Sequence, residues 1–194
     1  MKGLNTRFLQ GPRIFLINTA LWTKPISSYP INPLVTSSGG PYYFDLQPIS
    51  TTCAGLTLTG QTPKKTGNPI AAYWLAQGKH IDIPKQNPSA NFVFTPEFTG
   101  CKIYIDDLNN TTFRVYHIQV SHESTEYTNK NHGNGQIAAL KFSDYGVDND
   151  VARTRATAFL YYTNNQWHIY CQKLGGSAAS SSPPTVRGFL EISV

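Results

Sequence analysis

Charge is scarce in this sequence. Only 14% of its 194 residues are Asp, Glu, Lys or Arg, against about 25% in an average globular domain. No run of 18 apolar residues occurs, which excludes a hydrophobic helix long enough to span a membrane. No heptad pattern of leucines and charges appears, which excludes a coiled coil. Cysteine is confined to Cys53, Cys101 and Cys171 with no CxxC pair, so zinc-ribbon spacing is excluded. An odd count fits one disulfide plus a free thiol in an oxidising compartment. Three free thiols in a reducing one is the simpler reading. Near the start, the apolar stretch 14–17 ends at Asn18, too short for a secretory signal core, so no Sec-type signal peptide is expected.

Aromatic residues, glycine and proline are what the chain has in quantity. Eleven Tyr, ten Phe and three Trp need a core to occupy, which argues against disorder. Thirteen Pro and fifteen Gly cut the chain into strand-length pieces rich in Val, Ile, Thr, Tyr and Phe. Strands are expected over 13–22, 42–46, 55–59, 71–75, 91–95, 101–106, 112–120, 155–163, 166–174 and 187–194. The clearest hairpin joins 158–163 to 166–171 through Asn164-Asn165, since Asn tolerates the positive φ of a two-residue turn. Residues 122–131 and 135–142 could each hold a helical turn or two, and 175–184 reads as a low-complexity loop. The length suits one domain, 1–194. The expected fold is α+β and β-rich, a two-sheet β-sandwich with short peripheral helices.

The formal charge is +5. The surplus reads as spread along the chain, with Lys64-Lys65 and Arg153-x-Arg155 as its only local clusters. Nucleic-acid binders concentrate such charge on one face or arm, so no nucleic acid is expected as partner.

The segment 92–120 carries the chemistry. Two expected strands, 101–106 and 112–120, flank the polar loop 107–111. If the hairpin closes with Asp106 opposite Thr112, Cys101 stands directly opposite His117, the approach a Cys-His nucleophile needs. A one-residue slip would separate them onto opposite faces. Gly100 permits a tight turn that could aim the Cys101 N–H at an oxyanion. Thr95 could orient the His117 ring. The same residues also fit a buried thiol and a satisfied strand histidine.

Other groups carry weaker signals. Cys53 has no histidine at a comparable distance, and His168 and Cys171 fall on opposite strand faces. His117, His122 and His132 with Glu123 and Glu126 lack helical zinc spacing, so no metal is expected. Asp106-Asp107 and Asp144, Asp148 and Asp150 lack the calcium-loop order and read as turn formers. Trp74, Tyr161, Tyr162, Trp167 and Tyr170 could form a ligand platform, although strand alternation sends half of them to the core.

The stretch resembles the active-site segment of the Cys-His glutamine deamidase toxins, Burkholderia lethal factor most closely and the cytotoxic necrotizing factor catalytic domains more distantly. The matching residues are Phe94-Thr95, Thr99-Gly100-Cys101-Lys102 and His117, with Thr99 where the family has Ser. The likeness covers about thirty residues and adds a weak echo at Gly39-Gly40 and Asp45-Leu46. It implies a catalytic domain over 1–194 with Cys101 as nucleophile, His117 as base, Thr95 as orienting residue, and backbone at Gly100 and Cys101 as oxyanion support. It further implies a monomeric hydrolase, free of cofactor and metal. Such an enzyme would be secreted or translocated from a bacterium as a virulence effector and would convert a glutamine of a host cytoplasmic protein to glutamate. A transglutaminase or cysteine protease, or a non-enzymatic β-sandwich binding a glycan or protein, are the alternatives.

Overall fold

The computed structural model describes residues 3–23, 37–63, 68–146, 154–176 and 182–194. The expected clusters at Lys64-Lys65 and Arg153, the pair Asp148 and Asp150, and most of the 175–184 loop lie outside them. The described residues form a β-rich single domain of two sheets with a few short peripheral helices, one sheet nearly closed into a barrel.

Strands β1 (Ala20–Trp22), β2 (Gly39–Ser50), β3 (Cys53–Gly60), β4 (Ile70–Trp74), β6 (Phe92–Phe94), β10 (Arg155–Thr163), β11 (Gln166–Gly175) and β12 (Thr185–Ser193) build the larger sheet in the order β1-β3-β2-β4-β6-β10-β11-β12. Strands β5 (His80–Pro84), β7 (Lys102–Asn109), β8 (Thr112–Ile118) and β9 (Gln136–Leu140) build the smaller one in the order β5-β8-β7-β9. The β10–β11 hairpin turns on Asn164 and Asn165, whose φ values of 51° and 62° are those a two-residue turn demands.

The large sheet is buried on both faces. Val93, Leu160 and Ile169 point into a core shared with Ile81, Ile103, Ile105, Val115 and Leu140 of the small sheet. Their neighbours Phe92, Phe94, Phe159 and Tyr170 point the other way, onto Phe8, Phe15 and Leu16. Period-two alternation thus sends apolar residues to both sides. Each fully buried Phe or Leu stabilises the fold by roughly 1.5–3 kcal/mol relative to exposure.

Phe8 belongs to helix α1 (Leu4–Gln10), and Phe15 and Leu16 to α2 (Pro12–Asn18). The expected strand over 13–22 is therefore mostly helix. Pro12 sits at the first helical position, where its missing N–H costs nothing, and only residues 20–22 pair, parallel to β3. Gln172 ties this unit to the sheet. Its amide oxygen accepts from the Leu21 N–H at 2.7 Å, and its amide nitrogen donates to the carbonyls of Thr19 (2.8 Å) and Leu16.

Of the two expected helical stretches, one differs and one holds a single turn. Residues 136–140 are strand β9, recruited by pairing with β7, and helix α3 (Phe142–Tyr145) follows it. Residues 122–131 contain one π-type turn, Ser124–Thr128.

Candidate functional site

The residues singled out around Cys101 lie where the sheets meet. Strands β4 and β6 run parallel, and beyond them the Leu75 N–H donates to the Phe94 carbonyl at 2.8 Å. That pairing sets Thr95 beside Leu75. From the small sheet, His117 of β8 is fixed by backbone bonds to the 78–79 segment, its N–H donating to Lys79 O (3.0 Å) and its carbonyl accepting from Gly78 (2.9 Å).

Thr95 and His117 meet. Thr95 Oγ1 donates to the Leu75 carbonyl at 2.7 Å and lies 2.5 Å from His117 Nδ1. A hydroxyl has one proton, and here it goes to Leu75. The hydrogen on Nδ1 must therefore donate to Thr95, which assigns the tautomer from the network. Nε2 is left as a bare acceptor, fully buried and without a hydrogen-bond partner among the described residues. The ring stacks on Phe98 at 4.5 Å and 9°. Burial holds the imidazole well below its ordinary range, at about 3.

Cys101 does not stand opposite His117. The β7–β8 register pairs Ile103 with His117 and Asp106 with Arg114. The expected pairing is off by two residues because the hairpin turn is only Asn110-Thr111, with a bulge between Asp107 and Asn109. A shift of two preserves facing, so Cys101 falls diagonal to His117 rather than across from it. Its thiol takes a 3.6 Å contact from the Gln77 side-chain amide instead. Only 2% of Cys101 is exposed. Burial pushes its thiol up, only partly offset by hydrogen bonds from Thr99, Gln77 and Val120.

Gly100 adopts φ 109°, a backbone conformation open to glycine. Its N–H is already used, donating to Tyr145 Oη at 3.1 Å, while the Tyr145 hydroxyl donates to the Cys101 carbonyl at 2.6 Å. The ensemble is a closed, neutral knot of hydrogen bonds. A thiolate–imidazolium pair finds no support in it, since burial disfavours both charged forms.

The other two thiols are buried in the same way. Burial pushes Cys53 up to about 11 and Cys171 to about 12, and all three are free. The residues considered for a metal are engaged individually. His122 Nδ1 lies 2.7 Å from the Val120 carbonyl, Glu126 accepts from the Gln119 N–H at 2.6 Å, and Glu123 binds Lys102 and Tyr104. Among the described residues no group of three His, Cys, Asp or Glu is disposed to hold a metal.

A second cluster corrects the reading of Asp106 as a turn former, since it lies within strand β7. Asp106 is fully buried on the outer side of the small sheet, where it accepts from the Tyr127 hydroxyl (2.8 Å) and pairs with His132 Nδ1 (2.7 Å). Tyr104, Tyr116 and Ile118 pack around it with Tyr127. This network fastens residues 119–134 across the sheet. Ile137 of β9 and Val120, beyond the end of β8, are exposed. The only signal in the sequence was the alternation of Tyr104, Asp106 and Arg114, Tyr116, which puts a carboxylate among aromatics on one face.

The sequence profile described as the Mcf1 activator-binding domain matches residues 49–181. No curated protein matches the chain. The matched family is described as a binding domain, and this overturns the deamidase resemblance and with it the expected hydrolase activity, in its deamidase, transglutaminase and protease forms alike. In this chain the motif around Cys101 joins the two sheets through the Thr95–His117 contact and is closed by the Gly100–Tyr145 bond. With well over half of its length matched, the chain belongs to the Mcf1 activator-binding domain family.

Proposed function

We propose that this domain is a non-catalytic module of a bacterial toxin, secreted or translocated, that binds a protein activator. The observation that carries the reading is the match over 49–181, which includes the whole small sheet and its fastened 119–134 segment. The contact surface in this reading is the outer side of that sheet. Ile137 on strand β9 and Val120 just after β8 are exposed apolar residues of this sheet region, and a partner would cover them. The Asp106–Tyr127–His132 network pre-organises the segment, which reduces the ordering cost of association. Thr95, Gly100, Cys101 and His117 act behind that surface as positioning residues, joining the small sheet to β4 and β6.

The test is affinity capture from eukaryotic lysate with the immobilised chain, read by quantitative mass spectrometry. A protein retained by the wild type and by Cys101→Ser, and lost by Val120→Glu with Ile137→Glu, is the expected result. Retention unaffected by the surface pair would overturn the assigned surface. A glutamine converted to glutamate in lysate treated with wild type but not with Cys101→Ser would overturn the binding-module reading itself.

A further inference from the structure

The helical hairpin α1–α2 lies outside the family match, and its outward side is unusual. In α2 the inward residues Phe15 and Leu16 are buried on the large sheet, yet Ile14 and Ile17 on the outward side are 70% and 52% exposed. Leu9 of α1 is exposed as well, at 38%. Half of the exposed large hydrophobics among the described residues thus fall within this one hairpin. Ile14 and Ile17 form an apolar strip on the outward side of α2, beside Arg13 and Asn18, that nothing among the described residues covers.

The charge around these residues is of one sign. Counted by segment rather than by cluster, the surplus is uneven. Lys2, Arg7, Arg13 and Lys24 precede the first acidic residue, Asp45. On the hairpin itself the exposed residues are Arg7, Leu9, Gln10, Arg13, Ile14, Ile17 and Asn18, with no carboxylate among them. Arg7 lies over the Phe15 ring at 5.8 Å and lines the same shallow groove as Ile14 and Asn18. Two acids approach the hairpin. Glu191 of β12 reaches Arg13 only at 3.9 Å, with the Arg13 side chain 65% exposed, and Asp45 is occupied by the Asn5 amide at 2.7 Å.

We infer that the α1–α2 hairpin docks on an anionic lipid surface, with Ile14, Ile17 and Leu9 entering the interface and Arg7 and Arg13 meeting lipid headgroups. Aliphatic side chains standing out from a short helical hairpin and bordered by arginines suit the boundary between headgroups and acyl chains. The exposed residues of the hairpin include two arginines and no carboxylate, a one-signed charge that acidic headgroups complement. The contact is separate from the activator surface, so either can fail without the other.

The test is co-sedimentation of the chain with phosphatidylcholine vesicles, and with vesicles in which part of that lipid is replaced by phosphatidylserine. Ile14→Glu with Ile17→Glu, and Arg7→Gln with Arg13→Gln, are compared with wild type, with circular dichroism reporting the fold. All four side chains are exposed, so the variants keep it. The expected result is sedimentation with the anionic vesicles only, weakened by added salt, and reduced about tenfold or more by either pair. The inference is overturned if folded wild type stays in solution, if neutral vesicles bind it equally, or if the isoleucine pair binds like wild type. Loss of a captured protein by the isoleucine pair, with no vesicle binding by wild type, would assign the hairpin to a protein contact instead and likewise overturn it.

Discussion

The Thr95 hydroxyl donates to the Leu75 carbonyl at 2.7 Å, which leaves its oxygen to accept from the Nδ1–H of His117 at 2.5 Å. One side chain of the large-sheet region thereby sets the tautomer of a histidine on the small sheet. Both residues are buried, so each bond replaces one that water would otherwise supply.

Removing that hydroxyl should be costly. Thr95→Val leaves the His117 N–H and the Leu75 carbonyl without their shared partner, a loss of about 1–3 kcal/mol. Thr95→Ser keeps the hydroxyl and should retain most of the stability. Urea unfolding of the three proteins checks this, and equal losses in Val and Ser would point to packing of the methyl group alone.

His117 should make stability depend on pH. Its folded value, about 3, lies below the ordinary 6.5 because burial excludes the charged form. The unfolded chain therefore binds the proton first as pH falls. Stability from this group is full above about 6.5 and declines progressively towards 3, by up to roughly 5 kcal/mol. His117→Phe preserves a ring against Phe98 and removes the titration. Its stability should fall less steeply between pH 6.5 and 3 than that of wild type. Identical slopes in denaturant titrations would show that His117 does not stay neutral in the fold.

The three cysteines should react alike. Each is buried, and burial pushes each thiol above its ordinary range. Iodoacetamide near neutral pH should label all three slowly in the folded protein and quickly in urea. Site-resolved mass spectrometry that found Cys101 labelled far faster than Cys53 and Cys171 would contradict the closed geometry around it.

Arg155 and Glu97 form a buried two-pronged ion pair, at 2.8 Å through Nε and 2.9 Å through Nη2. Glu97→Gln removes the carboxylate charge that meets this buried guanidinium at two nitrogens. The expected loss is about 3–5 kcal/mol, far beyond that of a surface pair, measured as a shift in the urea midpoint. A loss under about 1 kcal/mol would mean that the Arg155 charge does not depend on Glu97 for its compensation.

Much of the β architecture was legible because strand residues advertise themselves locally. The β10–β11 hairpin follows from β-branched and aromatic runs around two asparagines that accept positive φ, a property of the residues themselves. The two-sheet reading follows from many short strands needing mutual cover. Residues 13–22 misled because a run of Ile, Phe and Leu carries no helical or strand period of its own. Pro12 and the docking of Phe15 and Leu16 on the sheet decided it.

The candidate site was legible only in part. The sequence by itself determined which side chains of one strand share a face; across strands the register decided it, and the observed shift of two preserved the expected facing. That facing sets Cys101 and His117 on the same side. The sequence could not determine the register, because turn length and the bulge at Asp107–Asn109 depend on how β7 pairs with both β8 and β9. Nor could it determine burial, which decides whether a Cys and a His near one another become charged and reactive or neutral and structural. Desolvation is a property of everything packed around a group. Only the tertiary structure, closing Phe98, Tyr145 and Gln77 over these residues, could supply it.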